Sequence, residues 1–286
     1  MLYRSTRIVH GTAVRRRKVD LKKTLFILPN LITVSSIFCG FYSIVLSGRA
    51  ESDDDFYRAS LMLVFAIIFD MLDGRVARMT KTQSAFGLQI DSLADVVSFG
   101  AAPAQLVYKW TLYRAGTAGL VISFLFLACG AIRLARFNVL AMGENGKPSK
   151  PSKYIVGLPI PGAAGVLISL VIANHAVSGT LGSPAFVGLM IALTLFLSFL
   201  MVSTVRFRSF KDLKPNKRTF ALVSFALLSS IAISVQTKPA FVLVWLLSFY
   251  VAIGVIETTV RLILRKPAEP KEPPVPVEGS GTLPPV

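Results

Sequence analysis

Cysteine, histidine and tryptophan are scarce in this 286-residue chain, which has two of each. Cys39 and Cys129 have no CxxC spacing and fall inside apolar stretches, so they read as buried small hydrophobes that say nothing about compartment. His10 and His175 lie far apart and in no phosphodiesterase-type motif, which argues against covalent phosphohistidine chemistry. Charge is also sparse, at 16% of residues against 53% hydrophobic, and the mean hydropathy of +0.63 excludes an ordinary cytosolic enzyme. Acidic residues are the scarcer sign, 15 against 31 Lys plus Arg, for a formal charge of +16. On a soluble chain that excess would suggest nucleic acid. Its distribution decides otherwise.

Uninterrupted apolar stretches predict eight membrane spans, at about 25–47, 57–79, 85–109, 116–139, 154–175, 184–204, 219–237 and 240–262. All but five of the 31 basic residues then fall before the first span, around or after the end of the last, or in alternate connections and the span ends that flank them. The five are Arg49, Arg58, Lys109, Arg114 and Lys238, on the side that also carries the acidic run Glu51 to Asp55. Positive charge favours the cytoplasmic side, so both termini are expected there and no nucleic-acid partner is expected. The expected fold class is all-α, a polytopic integral membrane protein of about eight helices. Residues 1–24 form a basic juxtamembrane arm, 25–264 the membrane domain and 265–286 a proline-rich tail that cannot pack a core. The apolar stretch after the arm is too long for a signal-peptide core, and no small-residue cleavage site follows it.

Ionisable residues inside a span are expensive and mark function. Residues 70–95 read DMLDGRVARMTKTQSAFGLQIDSLAD, with four carboxylates in the halves of spans two and three nearest their connection. Asp70 with Asp73, and Asp91 with Asp95, are i,i+3 and i,i+4 pairs that share a helix face. An antiparallel hairpin turning near Thr82 sets Asp73 opposite Asp91 and Asp70 opposite Asp95, in one cluster. It lies about 21 Å from the far interface of a core about 30 Å thick. Four carboxylates at that depth repel one another and cannot all stay ionised unless cations neutralise them. Two divalent ions supply the required charge, and all-oxygen ligands select hard cations, Mg2+ or Mn2+, with Ca2+ as the alternative. Paired metals of this kind serve phosphoryl transfer. Gly74, Ala77 and Gly87 leave room for substrate to approach the backbone, although close helix packing explains the glycines equally well.

The pattern DxxDGxxARx8GxxxDxxxD, occupied by Asp70, Asp73, Gly74, Ala77, Arg78, Gly87, Asp91 and Asp95, resembles the signature of the CDP-alcohol phosphatidyltransferases without a departure. Those integral membrane enzymes move a phosphatidyl group from a CDP-linked lipid to an alcohol and release CMP. The resemblance implies that Asp70, Asp73 and Asp91 are metal ligands and that Asp95 borders the second metal and acts as the base. It assigns Gly74, Ala77 and Arg78 to the cytidine diphosphate, with Thr82 and Gly87 nearby, and it implies a homodimer. Arg78 also suits a diphosphate on charge alone. Pro29 and Asn30 interrupt the first span, where free backbone N–H groups, Asn30 and Thr33 could meet a phosphate or the cytidine; a helix start with Pro in its first turn is the alternative.

Outside the signature, PNLITVSSIFCGF (29–41), RLARFN (133–138), GLPIPGAAG (157–165) and MVSTVRFRSFK (201–211) resemble the branch of the family that uses serine. Arg133 and Arg136 could hold the carboxylate of L-serine, or could be ordinary inner-face charges, and Arg206, Arg208 and Lys211 pose the same choice in a loop. Pro159 and Pro161 are expected to delay or bend the start of span five. The expected partners are therefore CDP-diacylglycerol, L-serine and membrane lipid, with the active site facing the cytoplasm from the inner or plasma membrane. Other acceptors in the same chemistry are glycerol 3-phosphate, inositol or its phosphate, and choline. A choline cage would want aromatic rings, and Trp110 and Trp245 are both expected near the opposite side. A cation-coupled transporter using a carboxylate relay is the rival from another class, but it calls for an inverted repeat that the sequence does not display.

Overall fold

A computed structural model of the chain describes residues 21–80, 82, 84–142, 154–208, 229–230 and 240–263. Helix α1 spans Leu21–Gly48 and α2 Asp53–Thr80; α3, Ala85–Asp95, runs through a π-helical turn at Val96–Ala101 into α4, Ala102–Trp110. A 3-10 turn at Leu112–Ala115 leads to α5, Thr117–Met142, followed by the short strand β1, Tyr154–Val156, and α6, Ile160–Ala176. Helix α7, Val187–Val202, strand β2, Arg206–Arg208, and α8, Ala240–Ile263, complete the described elements. Four stretches are long and apolar enough to cross a membrane: Leu28–Gly48, Thr117–Leu140, Pro184–Val202 and Ala240–Val260. Large apolar side chains on these helices face outward, with Phe38 63% and Phe199 70% exposed, as suits contact with lipid. The remaining expected spans are more polar, as in α2 with its aspartates, or shorter, as in the 17-residue α6. The span expected at 219–237 lies almost wholly outside the described residues, as do the arm up to residue 20 and the whole of the tail, 265–286.

Local sequence explains the helix ends. Asp55 accepts hydrogen bonds from the Glu51 and Ser52 N–H groups, both at 3.2 Å, and from the Ser52 hydroxyl at 2.9 Å, while its own N–H donates to Ser52 Oγ at 3.3 Å. This reciprocal cap starts α2, and the Ser52 hydroxyl leads the contacts that hold the Asp55 carboxyl below its ordinary range. Ser84 caps α3 by accepting from the Gly87 N–H at 2.9 Å.

Two expectations need correction. Helix α1 continues unbroken through Pro29, so Pro29 does not sit in its first turn and the backbone there is not a free helix end. Proline removes one helical hydrogen bond without ending the helix. The fifth span does not begin at 154: Tyr154 to Val156 pair instead with Arg208 to Arg206 as an antiparallel ribbon, a small departure from an all-α fold. Gly157 follows with φ +80°, and a side chain there would run into the Met201 carbonyl, so the chain turns only because this residue is glycine. Pro159 then caps α6, which delays the helix start as expected. The ribbon pins GLPIPG against MVSTVRFR, with Phe207 wholly buried against Tyr250 and Gly254.

Helices α1 and α2 pack antiparallel through small polar residues. Ser36 donates to the Ala66 carbonyl at 3.1 Å and Ser43 to that of Ala59 at 2.9 Å. A Cβ on Gly40 would stand 2.7 Å from Ser98 Cα, so α1 also lies directly against the π-turn. Close approach through small residues and interhelical hydrogen bonds is how helices associate in lipid, where apolar burial gives little preference.

Candidate active site

Three carboxylates converge where α2 and α3 meet. Asp70 on α2, and Asp91 and Asp95 on α3, each offer an oxygen within 4.8 Å of the others. Asp70 and Asp95 are in hydrogen-bonding contact, and Asp95 Oδ1 is buried with no partner. An orphaned buried carboxylate oxygen is costly, and an incoming cation or hydroxyl relieves that cost. The donor set is entirely oxygen and its charge is concentrated, which fits a hard divalent cation such as Mg2+ or Mn2+.

Asp73 stands beside the trio and faces α1. It is 4% exposed, accepts from Thr33 Oγ1 at 2.6 Å and also meets the Gly74 N–H. Thr33, expected at the nucleotide, is therefore in contact with an aspartate; its hydroxyl also lies 3.0 Å from the Pro29 carbonyl. The Arg78 guanidinium folds back so that Nη1 lies 3.4 Å from where a Gly74 side chain would begin, and its charge is felt at Asp73. Asn30 Oδ1 would stand 3.7 Å from a Cβ on Gly87, so α1 reaches the start of α3 as well. The Thr82 N–H donates to the Ala77 carbonyl at 3.1 Å, and the hydroxyls of Thr80 and Thr82 are 2.7 Å apart, closing the turn between α2 and α3.

The two arginines on α5 separate. Arg133 is in electrostatic range of Asp95, Tyr250 and Arg136, and its Nε is buried without a partner. Arg136 instead donates from Nη1 to the Val202 carbonyl at 3.1 Å, at the C-terminal end of α7, where a cation suits the helix dipole. Sequence reasoning overlooked Asn138. Its amide donates to Ser92 Oγ at 2.9 Å, between Asp91 and Asp95 on α3, while its Oδ1 is buried and unpartnered. The signal was available: Asn138 is a polar residue in a predicted span, five positions beyond Arg133 in RLARFN. Among the described residues four buried side-chain polar atoms lack a partner, and three of them, on Asp95, Arg133 and Asn138, belong to α3 and α5 at this end.

A cluster of carboxylates with a guanidinium in electrostatic range suits a phosphorylated substrate with a hydroxyl to be activated. Residues 26–200, from α1 through most of α7, match the sequence profile of the CDP-alcohol phosphatidyltransferases. The chain belongs to that enzyme family. It is 40% identical over 199 residues to the CDP-diacylglycerol--serine O-phosphatidyltransferase of Helicobacter pylori (strain ATCC 700392 / 26695), covering 70% of this chain and 79% of that protein. The protein of the same name from Mycobacterium leprae is 34% identical over 233 residues, 81% of this chain and 73% of the relative. The archaetidylserine synthase of Methanothermobacter thermautotrophicus is 36% identical over 192 residues, 66% of this chain and 72% of the relative. The family match contains all four aspartates, Arg78, Arg133 and Asn138.

Proposed function

We propose that the protein transfers the phosphatidyl group of CDP-diacylglycerol to the hydroxyl of L-serine, giving phosphatidylserine and CMP. The observation that carries this reading is the buried, unpartnered Asp95 Oδ1 beside Asp70 and Asp91, with Arg133, whose Nε is also buried and unpartnered, in electrostatic range of Asp95. A base and a cation held close together match the hydroxyl and the carboxylate of one small acceptor. Relatives named for two different lipids, phosphatidyl and archaetidyl, share serine in their names, which supports serine as the acceptor.

In this reading Arg78, folded over Gly74, holds the diphosphate, while Ala77, Thr82, Gly87 and Asn30 border the nucleotide. Arg133 takes the serine carboxylate, with the unpartnered Asn138 Oδ1 as a further acceptor on the same helix. Asp95 accepts the proton of the serine hydroxyl as its oxygen attacks the β-phosphorus. The new phosphorus–oxygen bond forms in line as the bond to the CMP oxygen breaks, and CMP leaves with the electron pair. Two divalent cations, Mg2+ or Mn2+, held by Asp70, Asp73, Asp91 and Asp95, would supply neutralising charge for the phosphates and the leaving group. A single displacement suffices: among the described residues no Cys or His stands with these groups, and the one serine between Asp91 and Asp95, Ser92, donates its hydroxyl to the Leu88 carbonyl at 3.0 Å and accepts from Asn138 at 2.9 Å. The apolar stretches support eight spans, and the charge pattern supports both termini in the cytoplasm with the site opening to the cytoplasm from the inner membrane; the family resemblance supports a homodimer as the assembly.

The test is CMP release by the purified protein with CDP-diacylglycerol and Mg2+ or Mn2+, offering serine, glycerol 3-phosphate, inositol, inositol phosphate and choline in turn. Serine-dependent release abolished by EDTA is the expected result. Release with another alcohol alone would refute the serine assignment, and release of CMP without any alcohol in a ping-pong exchange would refute the single displacement.

A further inference from the structure

A cavity of about 680 Å³ opens at the other end of the bundle, between the α1–α2 connection, the end of α4 and the α6–α7 connection. Helix α2 rises about 25 Å between Asp53 at this cavity and Asp70, so the two sites share no residue. Glu51 and Asp53 reach it from the start of α2, and Lys109 and Arg114 from the end of α4 and the turn beyond. All four are exposed, and among the described residues none pairs with an opposite charge within 4.0 Å. Tyr108 and Tyr113 also line the cavity, with the Arg114 guanidinium 5.1 Å above the Tyr113 ring.

The walls are built in advance. The floor is Trp110, 3% exposed, against which Gly182 packs so closely that a side chain would meet the indole Nε1 at 2.8 Å. Asn174 Oδ1 accepts from the Leu181 N–H at 2.9 Å, and its carbonyl accepts from the Gly179 N–H at 2.8 Å, which folds the α6–α7 connection over the rim. His175 Nε2 lies 2.6 Å from Asp54 Oδ1 and its ring stacks on Tyr57 at 4.2 Å, fastening the end of α6 to the start of α2.

A ligand that satisfies this cavity carries both a negative and a positive group. We propose that it is the headgroup of a phospholipid bearing a primary amine, with its phosphate at Lys109 and Arg114 and its ammonium at Glu51 and Asp53. Four exposed side chains hold a free small zwitterion weakly, because each charge contact in water contributes little. Acyl chains lying along the membrane-facing helices supply the missing affinity, and tyrosine and tryptophan at the interface sit at headgroup depth. The assignment is independent of which alcohol the carboxylate site uses.

Native mass spectrometry of the full chain, released from detergent containing equal phosphatidylethanolamine and phosphatidylglycerol, tests it. The wild type should retain phosphatidylethanolamine about fivefold over phosphatidylglycerol. Lys109→Gln with Arg114→Gln should lower retention of both lipids, whereas Glu51→Gln with Asp53→Asn should abolish only the preference. Both variants should keep wild-type CMP release and thermal stability; if a double variant misfolds, Lys109→Gln and Asp53→Asn are read singly. No preference in the wild type, or an unchanged preference in both variants, overturns the site. Displacement of the lipid by soluble phosphoethanolamine at equal concentration overturns its assignment to a lipid.

Discussion

Replacing Thr33 by valine keeps the shape of the side chain and removes one hydroxyl, the one that donates to Asp73 Oδ2 at 2.6 Å in a setting where both residues are 4% exposed. A hydrogen bond to a charged group contributes about 1.5–3 kcal/mol, and losing its donor leaves a buried carboxylate short of one partner. Asp73 keeps the Gly74 N–H, so it should swing without leaving the site. Partners of metal-binding carboxylates typically account for about 10- to 100-fold in metal affinity, in line with the free energy just given. The expected outcome is that half-maximal activation of CMP release by Mg2+ or Mn2+ moves to concentrations about 10- to 100-fold higher. Saturating metal should restore the rate, and Thr33→Ser should behave as wild type. If Thr33→Val titrates with metal like the wild type, Asp73 is not tuned through this contact. A fall in maximal rate with an unchanged metal requirement would equally refute the argument, because it would place Thr33 on the substrate.

Asp95→Asn should lower serine-dependent CMP release by at least about 100-fold while leaving the fold intact, as checked by thermal unfolding in detergent, since the amide cannot accept the hydroxyl proton. Arg133→Lys should raise the KM for serine by about tenfold with a smaller change in kcat, because an ammonium cannot reproduce the guanidinium fork; Arg136→Lys, at the end of α7, should leave that KM unchanged. Gly40→Ala forces a methyl to within 2.7 Å of the Ser98 backbone and should destabilise by about 1–3 kcal/mol, seen as a lower melting temperature. Gly157→Ala should do the same at the turn into α6, where φ is +80° and the Met201 carbonyl blocks a side chain.

The hairpin of α2 and α3 was legible because its connection is short: the turn near Thr82 fixes which residues share a depth, and Asp70 does meet Asp95. Asp73 was legible in position but not in direction. Three residues on from Asp70 it points about 60° away around the helix, enough for a neighbour to claim it. That neighbour is Thr33, forty positions earlier, and no local pattern announces a contact between antiparallel helices whose register depends on packing. The same limit hid the difference between Arg133 and Arg136, which look equivalent until α7 brings the Val202 carbonyl to one of them. The strand at Tyr154 to Val156 was missed because three apolar residues next to an apolar helix read as its first turn; only pairing with the remote Arg206 to Arg208 makes them a ribbon.

The π-turn after Asp95 was also invisible, yet it explains how the carboxylates are held in register. Ser98, within that turn, donates to the Ser36 carbonyl at 3.0 Å, and the Ser36 hydroxyl donates to the Ala66 carbonyl at 3.1 Å. Each member of this chain lies about one turn from a site residue on its own element: Ser98 from Asp95, Ser36 from Thr33 and Ala66 from Asp70. The three elements that carry the acidic side chains and their threonine are thus joined by hydrogen bonds one layer deeper, where small residues let the backbones approach. Carboxylates that repel one another need such a clamp, since nothing in their own interaction holds the helices together. Because the clamp uses short side chains and backbone carbonyls, it leaves little slack, and a π-turn, wider than a regular helical turn, is what lets Ser98 reach α1 while Asp95 still faces α2.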